Sequence, residues 1–77
     1  MTYKPLDTVV LTRDLPEHKL RAGDLGAVVE VYEPDGLEVE FVTGSGRTTA
    51  LLTLKADAVR PIADTDLMAV RSTEQSA

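Results

Sequence analysis

The chain of 77 residues contains no cysteine, a single histidine and few aromatic groups, and each shortage closes off a class of function. Without cysteine there is neither a disulfide framework nor a thiolate metal site. A chain this short buries only about 60 to 65% of the surface it exposes when unfolded, so packing must carry the fold. Self-association as a homodimer is one way of supplementing so small a core. His18, the lone histidine, lies between Glu17 and Lys19. A zinc site would have to combine it with carboxylates, an uncommon structural ligand set. No elbow motif or spacing links His18 to Ser45 or Ser72 as base and nucleophile. No catalytic residue, cofactor or metal is therefore expected, and His18 is read as an exposed loop residue.

Long apolar runs are also missing. Val9-Val10-Leu11 and Ala50-Leu51-Leu52 fall far short of the roughly 20 residues that a membrane-spanning helix needs. Met1-Thr2-Tyr3-Lys4-Pro5 is not a basic segment leading into an apolar one, as a secretory signal would be. A cytoplasmic location is the expectation. Positive charge is scarce: thirteen acidic residues against eight basic ones give a net charge of -5. That balance opposes the phosphate backbone that dominates nucleic-acid affinity, so nucleic acid is an unfavoured partner unless a local basic patch forms.

What is present is a series of short β-prone runs separated by turn residues. Asp7-Thr8-Val9-Val10-Leu11-Thr12-Arg13 is β-branched, and Asp14-Leu15-Pro16 ends it. Residues 17–24 make an irregular excursion with Leu20 turned inward and Gly23-Asp24 supplying the turn. Gly26 to Tyr32 follows, expected to place Ala27, Val29 and Val31 on one face and Val28, Glu30 and Tyr32 on the other. Glu33-Pro34-Asp35-Gly36 reads as a type I turn with Gly36 in the left-handed region. With that turn, Glu33 faces Leu37, Val31 faces Val39 and Val29 faces Phe41 on the inside. Outside, Tyr32 faces Glu38, Glu30 faces Glu40 and Val28 faces Val42.

Thr43-Gly44-Ser45-Gly46-Arg47 is a hairpin loop rather than a phosphate cradle, because a strand and not a helix follows it. That strand, Thr48 to Leu54, turns Ala50, Leu52 and Leu54 inward. Lys55-Ala56-Asp57-Ala58 suits one 3₁₀ turn before a last strand, Val59-Arg60-Pro61-Ile62. Residues 1–62 are thus expected to form an all-β, five-stranded small barrel, and residues 63–77 a polar, mobile tail. The inner set is Val9, Leu11, Leu20, Ala27, Val29, Val31, Leu37, Val39, Phe41, Ala50, Leu52, Leu54, Val59 and Ile62.

The order of these elements is similar to SH3-like barrels of the KOW kind. The phrases L-D-T-V-V-L-T-R-D-L-P-E-H-K-L-R-A-G-D-L-G-A-V-V-E-V-Y, L-E-V-E-F-V, T-A-L-L-T-L and V-R-P go further. They resemble a small bacterial family known as domain of unknown function 4926, over Leu6 to about Ile62. The resemblance implies an SH3-like fold and a compact stand-alone protein, and brings no reaction, cofactor or catalytic residue. Genes for toxin-like proteins beside some such families imply an antitoxin, immunity or accessory role, with a neighbouring gene encoding the partner.

Two surfaces are candidates. Val28, Glu30, Tyr32, Glu38, Glu40 and Val42, with Leu51 alongside, form an acidic and apolar face suited to a basic, partly apolar protein partner, with Tyr32 as anchor. Arg13, Lys19 and Arg21 form a weak basic rim at the first loop, the route by which a KOW-like barrel would approach RNA or a ribosome. The opposing net charge and the scarcity of aromatics (Tyr3 and Tyr32, with Phe41 assigned to the core) favour the first. A non-enzymatic protein-interaction module is the function expected.

Overall fold

Runs rich in valine, leucine and threonine, broken by glycine, proline and aspartate, fold into five strands in a computed structural model that describes residues 2–74. The strands are β1 (Thr8–Leu11), β2 (Leu25–Tyr32), β3 (Gly36–Val42), β4 (Thr48–Lys55) and β5 (Val59–Pro61). They form one sheet in the order β4-β3-β2-β1-β5, every neighbouring pair antiparallel. β4 and β5 stand at opposite ends of this order and do not pair with each other. The expected closed barrel is therefore an open, SH3-like five-stranded sheet. One 3₁₀ turn, Pro16–His18, lies in the first loop, and a second, Ala56–Ala58, delivers β5 as the sequence indicates.

One side of the sheet carries the core. Val9, Leu11, Leu20, Val28, Leu37, Val39, Phe41 and Val59 are buried together, with Val31, Ala50, Leu52 and Leu54 packed against them. Leu20 reaches this cluster because the first loop folds back on itself through a Leu15–Leu20 bridge, placing it inward as its isolated apolar character suggests. Ile62 is only partly buried and lies outside the cluster.

The hairpin register departs from strict alternation. Val31 pairs with Leu37, Glu30 with Glu38 and Tyr32 with Gly36, but beyond a bulge between Val28 and Glu30 the partners are Val28 with Val39 and Ala27 with Glu40. The extra residue at the bulge is Val29, and it changes which face the first half of β2 presents. Val28, expected outside, is 1% exposed, and Val29, expected inside, is 43% exposed. Ala27 shifts with them and shares the outer position of Glu40. The bulge keeps both halves of β2 apolar on the inner side: Val31 below it, Val28 and the side-chain-free Gly26 above it.

The turn that sets this register has the length a Glu33–Leu37 pairing implies but lies one residue earlier in the chain, closed by Tyr32 and Gly36. Glu33-Pro34-Asp35 forms the connection, the Glu33–Pro34 peptide is cis, and Gly36 opens β3 without adopting positive φ. The Asp35 carbonyl accepts a hydrogen bond from the Ala56 N–H at 2.7 Å, tying the hairpin tip to the end of β4.

Residues 62–74 form neither helix nor strand. Two arginine–carboxylate clasps hold this tail against the sheet. Arg60 donates to Asp66 from Nη1 at 2.8 Å and from Nη2 at 2.9 Å. Arg71 donates from Nε to Asp24 Oδ1 at 2.8 Å and from Nη2 to Asp24 Oδ2.

Candidate functional site

The outer side of β2, β3 and β4 carries most of the expected protein-binding residues, in altered neighbourhoods. Glu30 lies opposite Glu38, and Glu38 lies opposite Thr53 on β4. Glu40 sits between Ala27 and Leu51 rather than facing Glu30. Val42 pairs with Thr48 and is 54% exposed, so it stays on the surface, whereas Val28 is lost to the core. Val29, 43% exposed, takes its place on the surface, and Leu51, 52% exposed, lies opposite Glu40. Pattern reading missed Val29 because the adjacent Val28-Val29 pair carries no mark of which member alternates inward.

Side-chain bonds organise the carboxylates. The Tyr32 hydroxyl donates to Glu38 Oε1 at 3.4 Å, although the backbone partner of Tyr32 is Gly36 and not Glu38. Desolvation, then the charges of Glu38 and Glu30, push the Tyr32 phenol above its ordinary range, since ionising it would add a third negative group. The Thr48 hydroxyl donates to Glu40 Oε2, fixing that carboxylate near the β3–β4 bulge. Lys55, at the far end of β4, pairs across the sheet with Gly36. Glu30, Glu38 and Glu40 together with four exposed apolar side chains, Val29, Tyr32, Val42 and Leu51, thus define one mixed face.

Of the expected basic rim, Lys19 and Arg21 line one cavity together with Asp14 and Arg71. Arg13 turns to Asp57, donating to its carboxylate and to its carbonyl, each at 3.3 Å. Lys19 is exposed at the end of the first 3₁₀ turn with φ of 58°, and its carbonyl accepts from Arg71 at 3.1 Å. The Arg21 N–H donates to Asp24 Oδ2 at 2.8 Å, and the Ala22 N–H to Asp14 Oδ1 at 2.9 Å. Carboxylates thus lie against two of the three residues, Asp57 on the Arg13 guanidinium and Asp24 on the Arg21 N–H. His18 is exposed on the 3₁₀ turn, and among the described residues no group of three or more histidine, aspartate or glutamate side chains is arranged to hold a metal ion. Among the described residues no helix is long and apolar enough to cross a membrane.

The β4-β3-β2-β1-β5 order, with its long first loop and its 3₁₀ turn before the last strand, defines a small SH3-like all-β protein. Within that class the chain belongs to the family described as Domain of unknown function (DUF4926), whose match spans residues 6–61. No curated protein and no solved structure matches the chain significantly.

Proposed function

We propose that this protein is a recognition module whose outer sheet face binds a basic and partly apolar segment of another protein. The observation that carries this reading is the interleaving of Glu30, Glu38 and Glu40 with the exposed side chains of Val29, Tyr32, Val42 and Leu51 on three adjoining strands. Exposed apolar residues gathered in one place, rimmed by charge of one sign, mark interaction surfaces more often than scattered ones do. Like charge argues against a second copy of the chain docking face to face, because glutamates would meet glutamates. The net charge of -5 favours a cationic protein over a polyanion.

A cytoplasmic accessory or antitoxin-like role, with the partner encoded beside this gene, is the setting we propose for such a module. The test is direct binding to the purified product of the neighbouring gene, with wild type compared against Tyr32→Ala combined with Glu38→Lys. Binding that weakens as salt rises and falls at least tenfold in the double variant supports the face. Absence of binding, or equal affinity of the variant, rejects it.

A further inference from the structure

The first loop builds an arginine receptor that the chain fills with its own tail. Three acceptor atoms converge on the Arg71 guanidinium: both carboxylate oxygens of Asp24 and the carbonyl of Lys19. These acceptors are held by the loop and not by the tail. The Asp24 carboxylate accepts from the Arg21 N–H, the Asp24 N–H donates to the Arg21 carbonyl, and the Asp24 carbonyl accepts from the Leu11 N–H of β1. Lys19 donates its own N–H to the Pro16 carbonyl, closing the 3₁₀ turn that presents its carbonyl to Arg71. A carboxylate and a carbonyl fixed at this spacing form a fork matched to guanidinium rather than to ammonium.

The occupant is weakly held apart from this clasp. Leu67 is 91% exposed and Val70 98% exposed, so the stretch of tail leading to Arg71 buries little apolar surface. Residues 69–73 wall one side of a groove of about 460 Å³ whose other side runs from Leu20 and Leu25 past Phe41 and Val42 to Thr43. Beyond Asp66, which Arg60 holds, the tail is anchored by charge at Arg71 and lies along this groove, so that stretch is displaceable by a chain that offers the same cation with better apolar contacts.

We propose that Asp24 and the Lys19 carbonyl form a binding site for an arginine-bearing extended segment of a partner protein, and that Arg71 is its intramolecular competitor. The groove shares Val42 with the outer face, but the arginine site itself uses neither Tyr32 nor Glu38 and stands or falls independently of them. A partner arginine would displace Arg71 and free residues 67–74 from the loop, so partner binding and tail release are one event.

The experiment uses the full chain carrying Arg71→Ala, with backbone amide spectra confirming its fold. The probe is a capped synthetic peptide of residues 67–74, and a second peptide has citrulline in place of its arginine. The expected result is saturable shifts at Lys19, Leu20, Arg21 and Asp24 with the arginine peptide and at least tenfold weaker binding of the citrulline peptide, which keeps the shape and loses the charge. Wild type should bind the arginine peptide roughly tenfold or more weakly, because a tethered competitor acts at an effective concentration in the millimolar range. Equal binding of the two peptides, equal binding by the two proteins, or no binding to Arg71→Ala at several millimolar would each overturn the proposal. The citrulline comparison is made on one protein, so it is unaffected by any loss of stability in the variant.

Discussion

Gly26 and Phe41 are packed so closely that no side chain fits between them. A Cβ on Gly26 would lie 2.8 Å from Phe41 Cε1 and 2.5 Å from Val39 Cγ1, while Phe41 is 2% exposed and Val39 fully buried. Neither neighbour has space to retreat. Gly26→Ala should therefore destabilise the protein by roughly 1–3 kcal/mol, the range for overpacking a filled core. Gly44 is the control, since a Cβ there meets nothing within 4 Å. Gly44→Ala should stay within about 0.5 kcal/mol. Urea midpoints of the two variants decide it, and equal midpoints would place Gly26 away from the Phe41 ring.

The bulge makes a contrast between adjacent valines. Val28 is 1% exposed and Val29 is 43% exposed. Val28→Ala should cost roughly 1.5–3 kcal/mol, from two lost carbons at about 0.8 kcal/mol each plus the cavity they leave. Val29→Ala should cost no more than about 0.5 kcal/mol. The opposite ranking in thermal or urea unfolding would restore the unbroken alternation in which Val29 faces Phe41.

That contrast locates what the sequence could and could not reveal. Strands, turns and the 3₁₀ turn before β5 depend on local residue chemistry, and they appear where β-branched runs and Gly, Pro and Asp place them. Leu20 was legible as an inward residue because it is the single large apolar side chain between Pro16 and Asp24. The pairing was not legible anywhere in this hairpin, where Val31 meets Leu37 and not Val39, and beyond Glu30 the faces were not legible either. Gly26 has no side chain to show that it faces inward, so the alternation looked continuous through Ala27, Val29 and Val31 when it reverses at the bulge. The candidate face survived this error because Glu30, Tyr32 and Glu38 lie on the turn side of the bulge, where the correction moves partners and leaves faces alone. The clasp between Arg71 and Asp24 joins residues 47 apart, with no periodicity to announce it.

Acid should loosen the tail before it unfolds the sheet. The Arg71 hydrogen bond, aided by the Arg21 N–H, holds the Asp24 carboxyl below its ordinary range. The Arg60 hydrogen bond and the Ala63 N–H lower Asp66 from 3.8 to about 2. A carboxylate whose pKa is depressed in the folded state adds stability that is fully present above its unfolded pKa and is lost as pH falls through its folded pKa. For Asp66 the window runs from 3.8 down to about 2. The tail amides around Asp66 should accordingly sharpen and move to random-coil shifts over that interval, and those of residues 69–72 should follow as Asp24 protonates below its ordinary range. Arg71→Ala should show the change for residues 69–72 already at neutral pH, while Asp66→Asn should flatten the pH dependence near Ala63. Tail shifts that do not vary between pH 5 and 2 would contradict both clasps.

The outer face carries a cost that a substitution can remove. Glu30 and Glu38 are directly paired across β2 and β3, and like charges so placed are destabilising. Glu30→Lys converts the repulsive pair into an attractive one, and a cross-strand charge pair is worth roughly 0.2–1 kcal/mol. The variant should therefore be more stable than wild type at low salt, with the advantage shrinking as salt screens both the repulsion and the attraction. The Tyr32 phenol, raised in part by Glu30 and Glu38, should ionise at lower pH in the variant, read from tyrosinate absorbance in a Tyr3→Phe background. Because the same glutamate belongs to the face proposed to receive a cationic partner, stability and partner affinity should move in opposite directions. A variant that gains stability and keeps its affinity would separate the repulsive pair from recognition; one that gains nothing would mean that Glu30 and Glu38 do not share a pair.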